Sequence, residues 1–61
     1  MTTPLKVMFM DVRILYETTH ESGMPIPDVG DDVELNASLY TVVARTWSVA
    51  PYAVVIYVRE R

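Results

Sequence analysis

Few side chains in this 61-residue chain are of kinds that do chemistry. Its one histidine, His20, stands between Glu17 and Glu21. An imidazole flanked by two carboxylates can hold a metal or move a proton. His20-Glu21 lacks the second histidine of the zinc-protease helix motif, and the residues around it carry no helical period. A lone imidazole on a loop is poorly preorganised, so His20 reads as a solvated loop residue. Asp28, Asp31, Asp32 and Glu34 gather oxygen ligands suited to a hard cation, but not in the alternating pattern of a calcium loop. They read instead as a solvated acidic turn in which Asp28 and Asp31 accept bonds from local backbone N–H groups. Ser22, Ser38 and Ser48 have no base near them in sequence, and Gly23 and Gly30 build no phosphate cradle. With no cysteine there is no thiolate metal site and no disulfide. The expectation is a chain that is not an enzyme and takes no cofactor and no metal.

Two further sets could bind rather than react. Arg13, Arg45 and Arg59 could share a sheet face and grip a carboxylate or phosphate, or pair across strands with Asp11, Glu34 or Glu60. Trp47, Pro51, Tyr52 and Tyr57 bring aromatic faces, hydrogen-bonding edges and a proline together around one hairpin. That chemistry holds an extended or proline-rich segment of another protein. The competing assignment puts Trp47 and Tyr52 in the core or in a dimer interface.

The elements that must position these residues are strands. Asp32–Leu35, Leu39–Trp47 and Tyr52–Arg59 are rich in β-branched and aromatic residues and read as a meander. Asn36-Ala37-Ser38 makes its first turn; the same residues match a glycosylation sequon, taken as accidental. Residues 48 to 51 close the second hairpin. Val33 and Leu35 should face inward; Val54, Ile56 and Val58 share one face of the last strand, and Val55, Tyr57 and Arg59 the other. Leu39–Trp47 carries large groups on both faces, so it is central or bulged. Leu5–Tyr16 also alternates and reads as a long strand, with a helix begun at Thr3-Pro4 as its rival. A bend or bulge near Met10-Asp11 would split it, with Val7 and Phe9 inward before the bend and Val12 and Ile14 after it. Glu17–Gly30 reads as a loop, with Met24, Ile26 and Val29 tucked in as a lid. Pro27–Gly30 is its closing turn, Gly30 supplying a positive φ.

Length and charge bound the rest. Residues 1–61 make a single small β domain, in which burial and chain-ordering free energies nearly cancel. With 51% apolar residues, some must stay exposed or face a partner, and self-association or a protein partner is expected. A net charge of −3 gives no footprint for phosphate backbones, so no nucleic acid is expected. No basic leader precedes an apolar run and no apolar stretch reaches ~18 residues, so the expectation is no membrane and a cytoplasmic setting.

The fold class is therefore all-β: a small antiparallel SH3-like barrel of four to five strands. The alternative is a four-stranded sheet that dimerises into a sandwich. Val29-Gly30-Asp31-Asp32-Val33-Glu34-Leu35, followed by Tyr40-Thr41-Val42, resembles a strand-and-hairpin pattern of small SH3-like barrel proteins of bacteriophages and bacterial mobile elements. The resemblance spans residues 28–58. It implies the barrel and a phage-like source, and no shared activity. The Ala-Leu-Tyr-x-Tyr and Trp-Trp signatures of eukaryotic SH3 domains are absent, so no peptide site is carried over from them. The function expected is a non-enzymatic protein-interaction module, with a phage-type modulator of a host protein as its specific form. A structural subunit of a larger assembly is the alternative, and a nucleic-acid-binding small barrel comes after it.

Overall fold

Val54, Ile56 and Val58 alternate along the last strand, and all three are buried. In the computed structural model, which describes residues 4–21 and 25–61, this strand lies at the centre of a five-stranded sheet. The strands are β1 (Lys6–Met10), β2 (Ile14–Thr19), β3 (Asp32–Leu35), β4 (Ser38–Val49) and β5 (Tyr52–Glu60). Their order is β2-β1-β5-β4-β3. Three pairings are antiparallel as expected, and β1 and β5 run parallel. The sheet curls until it nearly closes, leaving a seam, in the manner of a small SH3-like barrel.

The core is the concave face. Val7 and Phe9 of β1, Val42 of β4 and the β5 triplet form it, with Leu5, Leu15, Ile26, Val33, Leu35 and Tyr40 packed around them. Val33 and Leu35 thus point inward as their alternation requires. Leu15 of β2 and Val33 and Leu35 of β3 come from the two outermost strands, so both edges of the seam close on one cluster.

Two irregularities shape the sheet. The first splits the long N-terminal strand: residues 11 to 13 bend, the Asp11 amide donating to the Arg13 carbonyl at 3.0 Å, and the β1–β2 register shifts between Phe9 and Met10. The expected bend is there, but the change of phase differs. Val12 is 94% exposed and Ile14 half exposed, while Leu15 packs on the core and Tyr16 lies opposite Phe9. The turn takes up residues 11 to 13, so Val12 has no sheet face to occupy. Strand β2 also runs on to Thr19, beyond the expected loop start at Glu17. The second irregularity lies between Val42 and Ala44 of β4, where Val43 bulges out of the β5 register.

Tight connections complete the fold. Asn36 (φ 51°) and Ala37 (φ 68°) form the two-residue turn between Leu35 and Ser38. Both need left-handed backbone, which asparagine tolerates and alanine does not. Gly30 (φ 95°) ends the Pro27–Gly30 turn, and its amide donates to the Val42 carbonyl at 2.9 Å. Ile26 packs on the core as a lid residue, whereas Val29 is 58% exposed because the turn directs it outward. Thr3, Ser22, Gly23 and Met24 lie outside the described residues.

Two substitutions test this account by chemical denaturation. Ala37→Gly relieves the left-handed strain, less the extra chain entropy of glycine, and should stabilise the domain by about 0.5–1 kcal/mol. Ile56→Ala should destabilise it by about 2–5 kcal/mol, while Val12→Ala should change stability by less than about 0.5 kcal/mol.

Candidate functional site

The bulge at Val43 decides where the tryptophan goes. Beyond it, Arg45 lies opposite Ile56, Trp47 opposite Val54 and Val49 opposite Tyr52. Directly opposed residues share a sheet face, so Arg45, Trp47, Val49 and Tyr52 all stand on the concave side with Val54 and Ile56. Strand β3 pairs with β4 only from Ser38 to Thr41, so the far half of β4 is an outer edge. Strand β5 beside it is flanked by β1 from Ala53 to Tyr57, and only the tip at residues 49 to 52 extends past β1. A twelve-residue strand is about 40 Å long, matching the longest dimension of the molecule, 39 Å. On this arm Trp47 is 50% exposed and Val49 88% exposed, and Tyr52 is exposed beside them.

The tryptophan is nonetheless anchored. The Arg45 guanidinium sits 5.6 Å from the centroid of the Trp47 ring, within cation–π range. Its Nη1 donates to the Pro27 carbonyl at 3.1 Å, and its Nη2 lies 3.5 Å from Asp28 Oδ1. Asp28 is itself fixed. Its Oδ1 accepts from the Val29 amide at 2.8 Å, and its amide donates to Asp31 Oδ2 at 2.9 Å. The acidic turn does what was expected of it locally, and it also steadies an arginine laid on an aromatic ring. This link joins residues seventeen positions or more apart, with no local pattern to announce it. Sequence reasoning missed it.

The four aromatic and proline candidates do not form one patch. Trp47 and Tyr52 share the concave side, and Pro51 stands in the tip turn, exposed, after a cis Ala50–Pro51 bond. Tyr57 pairs with Ala44 and Met10 and therefore faces the convex side. There it adjoins Met8, Met10, Ile14 and Val55, a second apolar area that the sequence reading did not single out.

The arginines do not share a face either. Arg45 is concave, Arg59 lies opposite Thr41 on the convex side, and Arg13 is in the turn. Among the described residues Arg45 pairs with Asp28, Arg61 with Asp32 at 2.8 Å, and Lys6 with Glu17 at 3.0 Å, not with the expected Asp11, Glu34 and Glu60. His20 is half-buried, and its amide donates to the Leu5 carbonyl at 2.7 Å. Among the described residues no three His, Cys, Asp or Glu side chains gather as a metal site. Ser38 and Ser48 lie on β4.

Comparison with protein-family models, with curated proteins and with solved structures finds no match. The arrangement is one of contact chemistry: an indole held against an arginine, a phenol and a valine along the outer half of β4 and the hairpin tip.

Replacing Arg45 by Met removes the bond to Pro27 and the contact with Asp28 while keeping an apolar stem beside Trp47. Part of that contact is solvent-screened, so the cost should be only about 1 kcal/mol. Trp47 fluorescence should shift and broaden, and the Gly30 amide should exchange faster with solvent.

Proposed function

We propose that this chain is a non-enzymatic protein-interaction module. Its working surface is the concave side of the β4–β5 arm, with Trp47 and Tyr52 as anchors and Pro51 at the tip. The observation that carries this is the state of Trp47, half exposed yet held against Arg45 and through it to Pro27 and Asp28. A tryptophan already fixed in place loses little side-chain freedom on binding, and such rigid aromatics supply most of the energy at protein interfaces. The chain's net charge of −3 favours a protein partner over a nucleic acid. Its resemblance to small phage barrels supports the specific form of a phage-type modulator, working in the cytoplasm by occupying a host protein's surface.

The convex apolar area around Tyr57 and Ile14 favours a second reading, a structural subunit packed into a larger assembly. The two readings use opposite faces, so one experiment separates them. Tagged wild type, Trp47→Ala and Tyr57→Ala proteins, each shown to be folded by circular dichroism, are used to capture partners from lysate. A specific partner should be held by wild type and Tyr57→Ala, and its affinity for Trp47→Ala should fall about thirtyfold, the ~2 kcal/mol of an interface hot spot. Loss on Tyr57→Ala with retention on Trp47→Ala moves the working surface to the convex face.

A further inference from the structure

The arm has an edge as well as a face. Val42 sends both its backbone groups away from β5: its amide donates to the Asp31 carbonyl and its carbonyl accepts from the Gly30 amide, each at 2.9 Å. Its opposite on β5 is Val58. Backbone polarity alternates along an antiparallel pair, so Val58, Ile56, Val54 and Tyr52 are the β5 residues that exchange no bonds with β4. Their opposites past the bulge are Arg45, Trp47 and Val49. These three residues therefore turn N–H and C=O to the open side of β4. Among the described residues, no backbone group pairs with that side beyond Val42.

Sheet edges are normally protected by shortness, charge or proline. The outer strand β3 has four residues and carries Asp32 and Glu34, and β2 carries Glu17. From Ala44 to Val49 the only charge is Arg45, and its guanidinium is drawn back onto Pro27 and Asp28.

Deepening the interaction-module reading, and resting on it, we propose that the open edge of β4 pairs with the same edge of a second copy. The pairing is antiparallel, about a two-fold axis at Trp47. Trp47 then lies opposite Trp47 of the other copy, and Arg45 opposite Val49, each pair exchanging both backbone bonds. All the open groups are satisfied at once. The two Arg45 residues end up four positions apart along the strand, about 13 Å, beyond the ~8 Å screening length of physiological salt. A register displaced by two residues leaves backbone groups unpaired, and in one direction it also halves that separation.

The test has two arms. Amide hydrogen exchange on the wild-type protein is followed with rising concentration: Arg45, Trp47 and Val49 should gain protection, while Thr46 and Ser48, already bonded to β5, should not. Sedimentation then compares wild type with Trp47→Lys and Trp47→Glu. Wild type should run at twice 6.9 kDa, each variant alone at 6.9 kDa, and their equimolar mixture again at twice 6.9 kDa. A dimer that persists in Trp47→Lys, a mixture that does not reassociate, or protection that spares these three amides overturns the proposal. A wild type monomeric at high concentration also overturns it. If that monomer still captures a partner through Trp47, the interaction-module reading survives; if it captures none, both fall.

Discussion

The burial of Val54, Ile56 and Val58 is the constraint from which the rest of this structure follows. In so small a domain there is room for one apolar layer, and β5 supplies half of it. Strand β1 must lie alongside it to bring Val7 and Phe9 to that layer, and β4 must flank it on the other side with Val42. The parallel β1–β5 pairing is the geometric consequence: the first strand has to cross to the last, and β2, β3 and the Pro-punctuated loop are what join that crossing to the hairpins. The core continues under Arg45 and Trp47, where Val54 and Ile56 lie against β1, but β3 covers only the first part of β4, so Trp47 and the hairpin tip stay exposed.

The bulge at Val43 turns that exposure into a surface. Strict alternation from Val42 would send Ala44 to the concave face and Arg45 and Trp47 to the convex one. One extra residue reverses this and places Arg45 and Trp47 above Ile56 and Val54. Trp47 can then receive Arg45 on its ring, while Arg45 reaches the turn at Pro27 and Asp28. A single local irregularity thereby couples the barrel, the loop and the aromatic group. Without it the tryptophan would lie on the outer face with Tyr57.

The strand content, the β3–β4–β5 meander, the bend near Met10 and the Gly30 turn were legible because each has a local cause: alternation, β-branching, or a residue suited to positive φ. The alternation of β5 was legible for the same reason; that Val54, Ile56 and Val58 are its inward set came from the fold. The phase after the bend was not. Whether Val12 or Leu15 faces the core depends on how many residues the turn consumes, and Asp11-Val12-Arg13 carries no glycine or proline to fix that number. The separation of Tyr57 from Trp47 was illegible because the bulge that fixes Trp47's face is set by packing against β5. The Arg45–Asp28 contact was hidden by sequence distance. The aromatic residues themselves were recognisable, and only their distribution over two faces needed the fold.

This division has a physical basis that bears on function. Core positions are fixed by the demand that apolar groups leave water, and that demand is written locally as periodicity. Interaction surfaces are fixed by what the core leaves over. Here the core leaves over the second half of β4, whose concave side carries Trp47 against Arg45 and whose outer edge pairs with no strand among the described residues. The two features have one origin. Strand β3 begins only at Asp32, because the chain before it turns at Pro27–Gly30, so β4 has no strand on its outer side over its second half. That late start of β3 leaves Trp47 without a strand beside it on that edge. Lengthening β3 along β4 would remove edge and face together, so any partner that uses one meets the other.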